Sequence, residues 1–155
     1  MDNEFKKKFS VYAECEGHSS PLYLTHLTFP QLIDDIVVPY ESNNTFFIDG
    51  VALKKERLKR IKIIQHDRAF NILFENLHQG MRMGELRRQS LYASQYQVRL
   101  DAILRESGTD VTSQVIKAYD ATIKPNIASY LPQRAELIRL AYNLFMEGIK
   151  ALIGS

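Results

Sequence analysis

Cysteine is almost absent from this chain: Cys15 stands alone among 155 residues. A single thiol excludes an internal disulfide framework and fits a reducing cytosol as well as many other places. Alternation puts Cys15 on the strand face of Phe9, Val11 and Ala13, so the expected thiol is buried and inert. Long apolar runs are absent too. None approaches the roughly 20 residues of a membrane helix. The start, MDNEFKKKFS, has a basic patch with no apolar stretch behind it, which is not the pattern of a secretory signal. The expectation is a cytoplasmic protein with no membrane contact. An excess of one charge is also missing. The chain has 20 Lys and Arg against 18 Asp and Glu, a net charge of +2. That is too mild to imply nucleic-acid binding by itself.

The motifs of common chemistry are absent as well. There is no G-x-S-x-G, no G-x-x-x-x-G-K and no G-x-G-x-x-G. His18, His26, His66 and His78 are not spaced with one another, with Cys15 or with carboxylates as a metal site requires. The carboxylate pairs Asp34/Asp35 and Asp101/Glu106 read as solvated faces. The expectation is therefore no cofactor, no metal and no catalytic residue.

What is present is a clear change of period. Lys8–Cys15 alternates as a half-buried strand, and Leu22–His26 is a short second one. Thr28-Phe-Pro-Gln31 has the spacing of a capping box, opening a helix with the stripe Leu32, Ile33, Ile36, Val37, Tyr40. Pro39 is expected to end that helix near Val38. Thr45–Gln65 then reads as three consecutive strands, the first two joined by an Asp49-Gly50 hairpin turn. After Gln65 the period becomes helical. Asp67 caps a helix to Leu77, Gly80–Gly84 is a link, and 85–107 is a long helix. Asp110 caps the next helix, Pro125 kinks or breaks it, and the last helix covers Gln133–Ile153. The fold class expected is α+β: a small antiparallel sheet with one helix, then an antiparallel bundle of three to four helices. The expected units are an α+β lobe over 8–66 and a helical lobe over 67–153 packed on it.

Two surfaces carry the functional expectations. The last helix has a wide apolar face, Leu137, Ala141, Leu144, Phe145, Gly148, Ile149 and Leu152, read as an interface for a protein partner or a second copy. The tyrosines Tyr92, Tyr96, Tyr119, Tyr130 and Tyr142 add amphipathic area to the helical lobe. Six of the nine residues from Lys54 to Lys62 are cationic: Lys54, Lys55, Arg57, Lys59, Arg60 and Lys62. They suit a phosphate backbone, with Tyr12, Tyr23 and Phe46 as candidate stacking platforms. A guarded, solvated sheet edge or a protein contact explains them better, because lysines on an edge strand block sheet-to-sheet pairing. Gly80-x-x-x-Gly84 around Arg82, ahead of a helix start, reads as a connection or an anion-binding turn. Arg60 and His66 have the spacing of a helical ribonuclease pair but fall on a strand.

The segment FFIDGVALKKERLKRIKI, through Phe47, Asp49, Gly50, Leu58, Arg60, Ile61 and Ile63, resembles a module near the N-termini of some bacterial abortive-infection and TIR-like antiphage effectors. Ile36–Tyr40, IVVPY, fits the helix that leads into it. The resemblance covers about 30 residues. It implies a sensor or assembly element rather than a catalytic part. No TIR or nuclease domain follows, so it also implies a non-catalytic subunit or a fragment of a larger effector. The leading expectation is a protein-interaction or assembly module of an antiphage system. A nucleic-acid-binding module using 54–62 comes second, and a ribonuclease toxin using Arg60 and His66 third.

Overall fold

The computed structural model describes residues 5–18, 21–85, 98–104 and 106–153. Strand β1 (Phe9–Cys15) is the middle of the fold. It pairs antiparallel with β2 (Leu22–Leu27) on one side and with β5 (Leu58–Gln65) on the other. The two-residue β6 (Thr109–Asp110) extends the sheet, giving the order β2-β1-β5-β6. The hairpin β3 (Phe46–Ile48) and β4 (Val51–Leu53) forms a separate two-stranded sheet. Asp49 and Gly50 at its tip have φ of 52° and 76°, as a type I′ turn requires. The three strands expected in Thr45–Gln65 are thus present, but they are not one meander. The turn Lys55–Arg57 breaks the run and sends β5 to β1 instead.

Strand alternation builds two interiors. Phe9, Val11, Ala13 and Cys15 face one core together with Ile63. That core is filled by the helical segment after β2, by Phe46, Ile48 and Leu53 of the hairpin, and by helices α5 (Thr112–Thr122) and α6 (Tyr130–Ile153). Tyr12, on the opposite face of β1, meets Phe70, Phe74 and Leu77 of α3 (Arg68–Glu85) and Leu100, Ile103 and Leu104 of α4 (98–104). The helices are therefore divided between the two faces of the sheet rather than gathered in a bundle of their own. The first core draws residues from both sides of the His66–Asp67 junction, which is a short turn between β5 and α3.

Local chemistry explains most of the elements. Thr28 caps α1 (Phe29–Leu32) with both capping-box bonds made: Gln31 N–H donates to Thr28 Oγ1 at 3.3 Å and Thr28 N–H to Gln31 Oε1 at 2.9 Å. The helix does not stop at Val38. It widens into a π-helical turn, Ile33–Val37, and continues as α2 (Val38–Glu41). The wide turn ends two residues before Pro39, which supplies no N–H and whose ring would press on a carbonyl one tight turn back. Gly80 and Gly84 lie inside α3, so the expected link is helix. Helix-forming neighbours outweigh the cost of about 1 kcal/mol that a mid-helix glycine carries. Residues 86–97 of the expected long helix, with Tyr92 and Tyr96, lie outside the described residues.

Gly108 needs to be glycine. Its φ is +77°, and a Cβ there would lie 2.6 Å from Ile64 Cγ2 and 2.9 Å from the carbonyl oxygen of Gln65. This close approach lets β6 join β5. Asp110, expected as the α5 cap, sits in β6; its Oδ1 accepts from the N–H (3.1 Å) and hydroxyl (2.7 Å) of Thr112. Thr112 Oγ1 in turn accepts from Ile63 N–H at 2.7 Å, which stitches the start of α5 to β5. Pro125 does break the helix. The turn Lys124–Ser129 contains Asn126 at φ −116°, ψ 21°, before α6 begins at Tyr130.

Candidate functional site

The basic segment 54–62 carries six cations in nine residues. Lys54 precedes a short 3-10 turn, Lys55 and Arg57 lie in it, and Lys59, Arg60 and Lys62 lie on β5. All are exposed except Lys62, which is half-buried. Lys55 Nζ is 4.0 Å from Glu41 Oε1 and lies 4.9 Å from the centre of the Tyr40 ring. That is the one ion pair among the described residues that reaches the segment. Glu14 and Arg60 are opposed across β1 and β5, and so are Tyr12 and Lys62. Lys59 is the extra residue of a bulge, since Glu14 opposes Arg60 and Cys15 opposes Leu58.

On its other side β5 is bonded only near its end. β6 pairs with Ile64 and Gln65, and Val111 N–H donates to the Ile63 carbonyl at 2.9 Å. Leu58–Lys62 has no strand neighbour there among the described residues. Lysines and a bulge at an open edge are the devices that keep such an edge from pairing indiscriminately. The candidate stacking platforms are not available in full: Tyr12 is 3% exposed and Phe46 2%, both in the cores, leaving Tyr23 half-buried.

The expected α6 interface is placed differently. Leu137, Ala141, Phe145 and Ile149 are enclosed in the chain's own first core. Phe145 packs edge-on against Phe9 with ring centres 5.6 Å apart. Gly148 lies next to Gln114 of α5. The wide face read as surplus is used by both the sheet and α5. Leu144 alone of that set is exposed, beside Leu140, and Leu152 lies outside the described side chains. Tyr119 and Tyr130 are buried and Tyr142 half-buried.

One pair could not be found from spacing. Ser10 Oγ lies 2.7 Å from His66 Nε2, although 56 residues separate them. Both are on the α3 side of the sheet. The His66 ring stacks on Phe70 at 4.2 Å and meets His26 edge-on at 5.1 Å. His26, at φ +60°, lies in the stretch where the β1–β2 register shifts, which turns it toward His66 and Phe74. Burial, reinforced by the nearby His26, holds the His66 imidazole down at about 4, so it is neutral near pH 7. These are the atoms of a nucleophile and a base, but Ser10 is 0% exposed and sealed from any substrate. Arg60 is on the same strand face as His66 but six residues away, roughly 20 Å along a strand, too far to share one phosphate.

Burial also pushes the Cys15 thiol up, away from the reactive thiolate. Among the described residues no cluster of His, Cys, Asp and Glu could hold a metal ion, and no helix is long and apolar enough to cross a membrane. Comparison with known protein families, curated proteins and solved structures gave no match to this chain.

Proposed function

We propose that this protein is a non-catalytic interaction module, an accessory or assembly subunit of a bacterial antiphage defence system, that meets an acidic protein partner through its basic turn and strand. The observation that carries this reading is the row Lys54, Lys55, Arg57, Lys59 and Arg60, exposed along one continuous segment with a single ion pair to any of the described residues. Exposed like charges set along a turn and the strand after it speed and orient the approach of an oppositely charged surface. The sealed Ser10–His66 pair and the distance from Arg60 to His66 weigh against the ribonuclease reading.

A nucleic-acid partner is the second reading. Arg60 and Lys62 share the strand face that carries Tyr23's neighbour Tyr12, so cations and one half-buried aromatic ring lie on the same side. Fluorescence anisotropy with a Glu-rich peptide and with a single-stranded oligonucleotide, each over a salt series, separates the two. The proposal expects the peptide to bind and a Lys54→Ala/Lys55→Ala/Arg57→Ala variant to lose about tenfold in affinity. Unchanged binding by that variant sinks the proposal. Tighter binding of the oligonucleotide, with a steep salt slope, favours the second reading.

A further inference from the structure

A second basic surface lies at the other end of β5. The segment leading into β1 and the start of α3 flank an open cleft of about 890 Å³, lined by Lys6, Lys7, Lys8, His66, Arg68 and Asn71 among others. That volume is in the range of sites for small molecules, roughly 300–1,000 Å³.

The charge balance of this cleft is uneven. Four cations border it against two carboxylates, Asp67 and Glu75. Asp67 is already committed: its Oδ1 accepts from Phe70 N–H at 2.7 Å as the cap of α3. No ion pair engages Lys6, Lys7, Lys8 or Arg68 among the described residues. The cations come from two chain segments held in place by backbone bonds; His66 N–H donates to the Lys8 carbonyl at 2.9 Å. They repel one another unless an anion sits between them.

Neutral groups border the same cleft. With Phe70 and Asn71 N–H both bonded to Asp67, the amides of Arg68 and Ala69 are the remaining first-turn donors of an 18-residue helix, at its positive end. His66 forms part of the wall and is 7% exposed. Its Nε2 is taken by Ser10, while its Nδ1 has no hydrogen-bond partner. Four cations and the open amides of a helix start beside one cleft match a compact anion with several oxygens, and His66, whose Nδ1 has no partner, lines the same cleft.

We propose that this cleft binds a phosphorylated small molecule, its phosphate held by Lys6, Lys8 and Arg68 at the N-terminus of α3. The site does not overlap Lys54–Lys62 and does not depend on the partner proposed for that segment.

Isothermal titration of the full chain with pyrophosphate tests it. The expected result is saturable one-to-one binding with a Kd below about 1 mM. Lys8→Ala and Arg68→Ala should each weaken it about tenfold, and Glu75→Gln should tighten it. These side chains are exposed, and thermal melts matching the parent confirm that each variant is folded. The Lys54→Ala/Lys55→Ala/Arg57→Ala variant should bind pyrophosphate as the parent does; a loss there would place the anion on the basic strand and overturn the proposal. Titration without saturation, or Lys8→Ala and Arg68→Ala binding like the parent, would also overturn it. So would an oligonucleotide that binds through Lys8 and Arg68 while pyrophosphate does not.

Discussion

Ser10 Oγ and His66 Nε2 are 2.7 Å apart beneath α3, with Ser10 fully enclosed and His66 buried. His66 stays neutral in the folded chain down to about pH 4, whereas an unfolded histidine takes a proton near pH 6.5. Between these values the unfolded state binds more protons, so stability falls as pH drops. Denaturation at pH 7 and at pH 5 should differ by about 2 kcal/mol from this group. In His66→Gln that part of the pH dependence should disappear. An unchanged slope in the variant would exclude His66 as its source.

Gly108→Ala is expected to cost about 3 kcal/mol. Two effects add: a side chain at positive φ, and a methyl group pressed on Ile64 and on the backbone oxygen of Gln65. Urea midpoints measure it. Gly17 is also at positive φ, but nothing lies within 4 Å of where an alanine methyl would stand, so its replacement should cost only about 1 kcal/mol.

Asp34 joins the π-helical turn to α6. It accepts from the Tyr130 hydroxyl and from Arg134, whose Nε is 2.6 Å from Asp34 Oδ2. Burial and the Asp34 carboxylate hold the Tyr130 hydroxyl well above the usual phenol range, so it remains a donor. Tyr130→Phe should cost about 1 kcal/mol and Asp34→Ala about 2 kcal/mol, the latter because it strands two donors. A double-mutant cycle should show the pair coupled by at least about 0.5 kcal/mol. Additive losses would mean that the hydroxyl bond contributes nothing.

The basic segment should matter little to folding. Replacing Lys54, Lys55 and Arg57 with alanine removes one partly exposed ion pair at 4.0 Å and one ring contact, both near Glu41 and Tyr40. The expected change is within about 0.5 kcal/mol. A larger loss of thermal stability would assign these cations to holding the turn.

Features settled by neighbours along the chain are legible in the sequence. β1 alternates, Thr28 and Gln31 sit at capping-box spacing, and Asp49-Gly50 accepts positive φ. What depends on distant partners is not. Nothing local says that β5 pairs with β1 rather than with the hairpin beside it in sequence. The same limit hides the contact between Ser10 and His66, and makes the stripe from Leu137 to Ile149 look unoccupied when a sheet and α5 both bury it. β6 is two residues long and has no period to read. Pro39 and Gly80 are of the residue types that usually break helices; here a π turn and a strongly helical surrounding override that effect.

β1 is a party wall between two rooms. Phe9, Val11 and Ala13 furnish one side, Ser10 and Tyr12 the other. Strand side chains alternate, so a slip by a single residue would exchange the two sets. It would push Ser10 and Glu14 among the phenylalanines and strip the rings from α3 in the same movement. A strand with one wet face can trade register for a partial loss. This one cannot, and its position relative to β5 is enforced from both sides at once.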